Sequence, residues 1–171
     1  AFIAAHLPAY ITDLGFAPIL GAWALALVGL FNVVGSYSSG VLGGRYSKKY
    51  LLSFLYFARS ALIAMFLLIP PTPATVLVFA AIMGLLWLST VPLTSGLVAQ
   101  MFGPRYMGML FGIVFFSHQV GSFLGVWLGG YLFDTTGSYD VVWWAGVALG
   151  VFAGLVHSPI HETRVARLAP A

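Results

Sequence analysis

Long apolar runs, separated by short stretches of glycine, proline and charged residues, constrain this chain more than any other feature of its sequence. A helix rises 1.5 Å per residue, so about 20 apolar residues cross the roughly 30 Å hydrocarbon core of a bilayer. The chain contains six such segments, and each except the first is long enough to span. Their bounds are about 1–12, 17–43, 50–69, 74–98, 106–133 and 139–158. The pattern predicts an all-α integral membrane fold, a bundle of six transmembrane helices.

Composition excludes the other fold classes. Only 6% of the residues are charged and the mean hydropathy is +1.01, whereas soluble domains carry about 25% charged residues. A transmembrane β-barrel would need strands that alternate in polarity, and these runs do not alternate. The chain has no cysteine, which excludes disulfides, thiolate metal sites and cysteine nucleophiles. It opens at Ala1 inside an apolar run without the charged region of a signal peptide, so we expect a longer protein.

Six of the seven basic residues occupy alternate connections, and the exception, Arg59, lies inside segment three. The six are Arg45, Lys48 and Lys49 after segment two, Arg105 after segment four, and Arg164 and Arg167 after segment six. Because Lys and Arg concentrate in cytoplasmic loops, this end and the tail 159–171 are expected in the cytoplasm, with the helices in the cell (inner) membrane. The net charge of +3 therefore reflects topology, and no nucleic-acid partner is expected.

Glycines and prolines inside the segments predict where helices pack closely and where they bend. Glycines recur every fourth residue at 121, 125 and 129 in segment five and at 146, 150 and 154 in segment six. This spacing predicts close approach of helix backbones. Pro8 and Pro92 lie inside segments one and four and predict bends, because proline removes a helix hydrogen bond.

The connection after segment two carries a motif. Residues 40–49 read Gly-Val-Leu-Gly-Gly-Arg-Tyr-Ser-Lys-Lys. This resembles the cytoplasmic loop motif of the major facilitator superfamily, Gly-x-Leu-x-Asp-Arg-x-Gly-Arg/Lys-Arg/Lys. The matching residues are Gly40, Leu42, Arg45, Lys48 and Lys49. The resemblance implies a conformational-switch loop carried by Gly40, Arg45, Lys48 and Lys49. Gly44 stands where the motif has its Asp, as in the weaker C-terminal copy, so the acidic part of the switch is not carried over.

A second, weaker copy stands at residues 130–137, on the opposite membrane face, and keeps the Gly, Leu, Asp and Gly of the pattern. The resemblance therefore implies two inverted three-helix repeats, which together form helices seven to twelve of a twelve-helix transporter. The stretches 6–10, 103–108 and 130–139 are similar to the monocarboxylate-transporter branch and its bacterial relatives. That branch often carries Asp-x-x-x-Arg in its eighth helix, where this chain has Asn32 and Ser36.

Polar side chains deep in the segments are the candidate solute or coupling residues, because such groups are costly in lipid and mark transport pathways. They are His6, Tyr10, Asn32, Ser36, Arg59, Trp87, His118 and Gln119. For each the alternative is simple helix packing. The resemblance implies that helices seven, eight, ten and eleven border the central cavity, so segment three, which carries Arg59, should be peripheral. No metal or cofactor is expected.

These features predict a secondary active transporter of a small organic solute, working by alternating access with an N-terminal six-helix half. Arg59 favours an organic anion, and His118 could relay a proton. Two alternatives stay open: a membrane sensor or scaffold that transports nothing, and an intramembrane enzyme. An intramembrane enzyme has little support, because the four acids, Asp13, Asp134, Asp140 and Glu162, lie in the loops or at the very start of a segment and not deep within one. Uptake into liposomes distinguishes a transporter from a sensor.

Overall fold

The computed structural model describes residues 2–165, and within them the chain forms seven α-helices. These are α1 (Phe2–Asp13), α2 (Pro18–Arg45), α3 (Lys48–Leu68), α4 (Pro73–Trp87), α5 (Thr90–Phe102), α6 (Pro104–Thr136) and α7 (Asp140–His157). Five spans are long and apolar enough to cross a membrane, with α4 and α5 together forming one of them. The predicted all-α membrane fold is confirmed.

Local sequence explains where the helices begin and end. Pro18, Pro73 and Pro104 each occupy the first turn of a helix, where the missing proline N–H has no helical partner to lose. Thr72 and Thr75 form a reciprocal capping box at the start of α4. Gly103 has a positive φ of 77° and turns the chain directly from α5 into α6, a backbone conformation that glycine adopts without strain.

The fourth segment differs from its prediction. It was expected as one helix over 74–98, but α4 ends at Trp87 and α5 begins at Thr90. Pro92 causes the break, since it has no N–H to donate to the carbonyl of Leu88, four residues earlier. The Leu88 carbonyl instead accepts from the N–H of Val91 at 3.0 Å.

Two helix pairs form the body of the bundle, α2 with α4 and α3 with α7. A Cβ at Gly84 would lie 2.5 Å from the Val28 carbonyl oxygen, and one at Gly154 would lie 2.9 Å from the Phe57 ring. The close approach predicted for segment six is confirmed at Gly150 and Gly154, whereas Gly146 has no described atom within 4 Å of a Cβ position. Gly121 and Gly125 of segment five also have no described atom within 4 Å of a Cβ position.

Helix α6 stands at the edge of the bundle. All of its residues are described, and Gly129 is the one that is buried. It contacts α5, α1 and α7. Exposed apolar side chains such as Phe116, Phe123 and Trp127 follow its length, so most of its surface faces lipid or another part of the protein.

The basic connections meet at one end of the bundle. The Val165 N–H donates to the Met101 carbonyl at 2.9 Å, and the Ser47 hydroxyl donates to Glu162 at 3.0 Å. The segment after α7 therefore crosses the start of α3 and the end of α5. Arg167 and the rest of the tail, 166–171, lie outside the described residues.

Candidate solute-binding site

A cavity of about 300 Å³ lies between α1, α3, α4, α6 and α7. It brings together three of the predicted residues, Arg59, Trp87 and His118. The other lining residues are Ile3, Tyr56, Ser60, Ile63, Met83, Val142, Trp143, Gly146, Leu149, Gly150 and Ala153. A volume of this size is at the lower end of the range for small-molecule pockets.

Arg59 supplies the charge of this cavity. Its guanidinium carbon lies 4.8 Å from the centroid of the Tyr56 ring, a cation–π distance. Its Nε and Nη2 are buried and have no hydrogen-bond partner among the described residues. These two nitrogens lie on the same edge of the planar guanidinium, which is the edge that binds both oxygens of a carboxylate.

Close packing of α3 against α7 places Arg59 at the cavity. The Ser60 hydroxyl donates to the Val147 carbonyl at 3.0 Å, and a Cβ at Gly150 would collide with that hydroxyl. Because Ser60 follows Arg59 in the chain, this contact holds the backbone at Arg59 close to α7. Whether segment three is peripheral to a central cavity between two halves stays a prediction; within this half, α3 contributes the charged side chain of the cavity described here.

The remaining cavity wall is largely apolar and aromatic. Trp143 is 1% exposed and packs among the core residues Phe79 and Met83. Trp87 lies at the end of α4, half-buried, with its side chain at the cavity. None of the described lining residues is acidic. The arrangement can hold an anion with an apolar body.

His118 and Gln119 were predicted as a pair, and the structure separates them. His118 lines the cavity with Arg59, whereas Gln119 lines an open groove of about 460 Å³ together with Ser122 and Trp127. Consecutive residues on a helix point about 100° apart, and on α6 this difference directs the two side chains to different spaces.

His6 and Tyr10 hold α1 in place and do not line the cavity. The His6 Nε2 lies 3.2 Å from the Val126 carbonyl oxygen and its Nδ1 lies 3.4 Å from the Tyr139 hydroxyl. Tyr10 packs edge-on against Tyr139 and Trp143, with ring centroids 6.1 Å and 5.5 Å away. These contacts connect α1 to α6 and α7.

Asn32 and Ser36 also lie away from the cavity lining. The Asn32 Oδ1 accepts a hydrogen bond from the Leu88 N–H at 3.1 Å. Ser36 is half-buried one turn later, and its carbonyl accepts from the Ser39 hydroxyl at 3.0 Å. In this structure Asn32 contacts the break between α4 and α5.

The predicted switch loop is held by a residue that the sequence did not single out for this role. Glu162 accepts hydrogen bonds from the Ser47 hydroxyl at 3.0 Å and from the Lys49 N–H at 2.6 Å. Lys48 Nζ donates to Gln100 Oε1 at 2.8 Å, and Gln100 Nε2 donates to the Glu162 carbonyl at 3.0 Å. The signal was present in the sequence: Glu162 is the one acid at the basic end of the chain.

The other loop residues make fewer contacts. Arg45 is the exposed last residue of α2, and Lys49 Nζ lies 4.7 Å from the centroid of the Tyr50 ring. A Cβ at Gly40 would lie 3.9 Å from Pro92 Cβ. Among residues 2–165, no group of three or more His, Cys, Asp or Glu residues could hold a metal ion.

Comparison with known proteins assigns the class. The family model described as Major Facilitator Superfamily matches residues 1–170. Because the match covers nearly the whole sequence, the chain belongs to the major facilitator superfamily, a family of membrane transporters and not of enzymes.

Individual relatives give a finer comparison. The chain is 31% identical over 160 residues to the uncharacterized MFS-type transporter YcxA of Bacillus subtilis (strain 168), covering 90% of this chain and 38% of that protein. It is 27% identical over 135 residues to monocarboxylate transporter 13 of Rattus norvegicus, covering 78% and 32%. It is 28% identical over 148 residues to monocarboxylate transporter 12-B of Danio rerio, covering 84% and 31%. The chain thus spans about a third of the length of these relatives.

Proposed function

We propose that this chain is the C-terminal six-helix half of a secondary active transporter that carries a small organic anion across the cell membrane by alternating access. Two relatives named monocarboxylate transporters support a monocarboxylate-like solute. One observation carries the choice of an anion. Arg59 lines the cavity, and its buried Nε and Nη2 have no hydrogen-bond partner among the described residues.

A buried donor without a partner is unfavourable, by about 1–3 kcal/mol and more for a charged group. A carboxylate in the cavity would accept from both nitrogens of the Arg59 edge at once, which is a strong, charge-assisted arrangement. Trp87 and Trp143 would then pack against the apolar body of the solute. The same pocket would disfavour a cation, because Arg59 is its charged residue and no described lining side chain is acidic.

His118 is the proposed proton carrier of this half. It lines the same cavity as Arg59, and imidazole is the side chain that ordinarily changes its charge between pH 5 and 8. A proton carried with each anion would neutralise the transported charge. We place the basic end and the C-terminus in the cytoplasm, from the distribution of Lys and Arg.

An N-terminal six-helix half is the proposed partner. Solute sites in these folds lie near the interface between two bundles, and α6 leaves most of its surface uncovered. The groove beside Gln119 and Trp127 lies on this surface. We propose that the N-terminal half covers it and completes the pathway of which the Arg59 cavity is one part.

Flux measurements test the transport proposal. The purified full-length protein is placed in liposomes, and the entry of labelled lactate and benzoate is compared with that of neutral glycerol and cationic choline. We expect saturable entry of the anions alone. Binding of the anions without entry would identify a sensor, and entry of choline alone would contradict an anion site.

Replacing Arg59 tests the site. Arg59→Lys keeps the charge but loses the guanidinium edge with its two nitrogens. We expect the KM for the anion to rise about tenfold, which corresponds to a loss of roughly 1.4 kcal/mol of binding free energy. Arg105→Lys is the matched control, because Arg105 is exposed at the start of α6. An unchanged KM in Arg59→Lys, with loss of folded protein in Arg59→Gln, would show that Arg59 is structural.

Replacing His118 tests proton coupling separately. In His118→Gln we expect the exchange of anions across the membrane to persist. A proton gradient directed into the liposome should no longer stimulate anion uptake. Stimulation equal to wild type would place the proton elsewhere, on an acid of the other half.

A further inference from the structure

The spanning segment formed by α4 and α5 is discontinuous at Leu88 and Ser89, midway along its 30 residues. A break frees backbone groups that lipid cannot satisfy, so other parts of the protein must bind them. Local side chains bind two of the carbonyls. The Ser89 hydroxyl donates to the Leu85 carbonyl at 2.5 Å, and the Thr90 hydroxyl donates to the Trp87 carbonyl at 3.3 Å.

The Leu88 N–H is satisfied from a different helix. It donates to Asn32 Oδ1 of α2 at 3.1 Å. Hydroxyls of the same segment thus donate to the carbonyls at the break, but the Leu88 N–H depends on an acceptor from another helix. Asn32 is therefore placed to hold the break in one geometry.

Helix α2 approaches the break closely enough to make this contact rigid. A Cβ at Gly35 would collide with the Leu85 carbonyl and lie 2.7 Å from the Ser89 hydroxyl oxygen. A Cβ at Gly84 would lie 2.5 Å from the Val28 carbonyl oxygen. Val28, Asn32 and Gly35 recur at helical spacing and share one face of α2, and this face contacts α4 on both sides of Asn32.

The residue that precedes Leu88 is Trp87, which lines the Arg59 cavity. We infer that Asn32 is a positioning residue for solute binding: by holding the Leu88 N–H it fixes the bend between α4 and α5 and so orients Trp87 towards the anion. The effect on solute binding rests on the proposed function, whereas the hydrogen bond and its effect on the break do not.

Two substitutions separate this role from simple packing. Asn32→Ala removes the acceptor, whereas Asn32→Asp keeps an oxygen of the same reach and should restore the contact. Ser38→Ala is the matched control on α2, because the Ser38 hydroxyl donates to the Val34 carbonyl of its own helix at 2.8 Å. All variants are made in the full-length protein.

The first readout is hydrogen–deuterium exchange of the peptide that contains residues 85–91. Loss of one hydrogen bond should raise exchange there roughly fivefold in Asn32→Ala. Exchange in α7 should be unchanged, and Asn32→Asp and Ser38→Ala should match wild type. Unchanged exchange at 85–91 in Asn32→Ala would overturn the inference whatever the solute is.

The second readout is the apparent affinity for benzoate, whose ring can pack against Trp87. We expect Asn32→Ala to raise KM about fivefold with little change in kcat, and Asn32→Asp to restore it. Raised exchange with an unchanged KM would also overturn the positioning role. If wild-type protein transports none of the anions, the proposed function fails by itself, and the exchange experiment still decides whether Asn32 holds the break.

Discussion

Arg59 lies 11 residues beyond Lys48, the first residue of α3, or roughly 16 Å along the helix. That depth is about half of the hydrocarbon core, and an arginine there costs about 2.5–3.5 kcal/mol on insertion scales. Tyr56 offsets part of this cost through its ring. Within residues 2–165 that edge of the guanidinium has no hydrogen-bond partner, so under the proposed function a solute carboxylate is the partner that we expect.

At the basic end of the bundle, the side chain of Glu162 has a structural role. It places a carboxylate at the N-terminus of α3, where the helix dipole and free N–H groups favour negative charge. We predict that Glu162→Ala lowers the free energy of unfolding by about 1.5–3 kcal/mol, because hydrogen bonds to a charged group are lost. Thermal unfolding in detergent measures this.

Thr163→Ala is the control for that measurement, since Thr163 is exposed beside Glu162. A Tm of Glu162→Ala equal to that of the control would show that the segment after α7 contributes nothing to the bundle.

Glu162 also shows what the sequence motif could not predict. The loop motif places its acid at position 44, where this chain has glycine, so the motif indicated that no acid was present. The structure supplies a carboxylate from more than a hundred residues away, through the Ser47 and Lys49 contacts. Only the fold brings such distant residues together. The sequence did show that Glu162, unlike the other three acids, follows a segment at the basic end.

At the scale of helices, Pro92 predicted a bend in segment four but not its form. A proline removes the hydrogen bond to the residue four positions earlier, which places the defect at Leu88. Whether the helix bends or breaks depends on the partners available to the freed groups. Here the Val91 N–H binds the Leu88 carbonyl, while Asn32 and the hydroxyls of Ser89 and Thr90 bind other backbone groups at the break, and α4 ends.

The contact of α3 with α7 yields a prediction. In Gly150→Ala the new Cβ would collide with the Ser60 hydroxyl, and we expect a loss of about 1–3 kcal/mol, as for other overpacked sites. The yield of folded protein and its Tm measure this. Because Ser60 adjoins Arg59, anion KM should rise as well.

Gly29→Ala is its control, because Gly29 lies inside α2 with no described atom within 4 Å of its Cβ position. Helix propensity predicts that this change is neutral or stabilising. Equal behaviour of the two alanine variants would contradict close packing at Gly150.

For the whole molecule, periodicity and charge predicted the number of segments and their common basic end. They did not predict the cavity. Arg59 borders it because α3 packs on α7 through Ser60, and neither hydropathy nor the family resemblance specified that pairing. His118 and Gln119 looked equivalent by depth, and only their directions on α6 separate them.

The orientation of the molecule stays a prediction. We expect a cysteine in Gly44→Cys to react only with reagents on the cytoplasmic side, and one in Ala17→Cys only with reagents outside. Both positions are exposed at opposite ends of α2, Ala17 just before the helix and Gly44 in its last turn. Labelling of both from the same side would contradict the six-pass arrangement.

The central claim is that an organic anion binds to Arg59 inside this half. The most direct test is an experimental structure of the full-length protein with benzoate bound. We predict both carboxylate oxygens within hydrogen-bond distance of Arg59 Nε and Nη2, with the ring between Trp87 and Trp143. A benzoate bound elsewhere, with the Arg59 edge paired to an acid of the N-terminal half, would contradict the account.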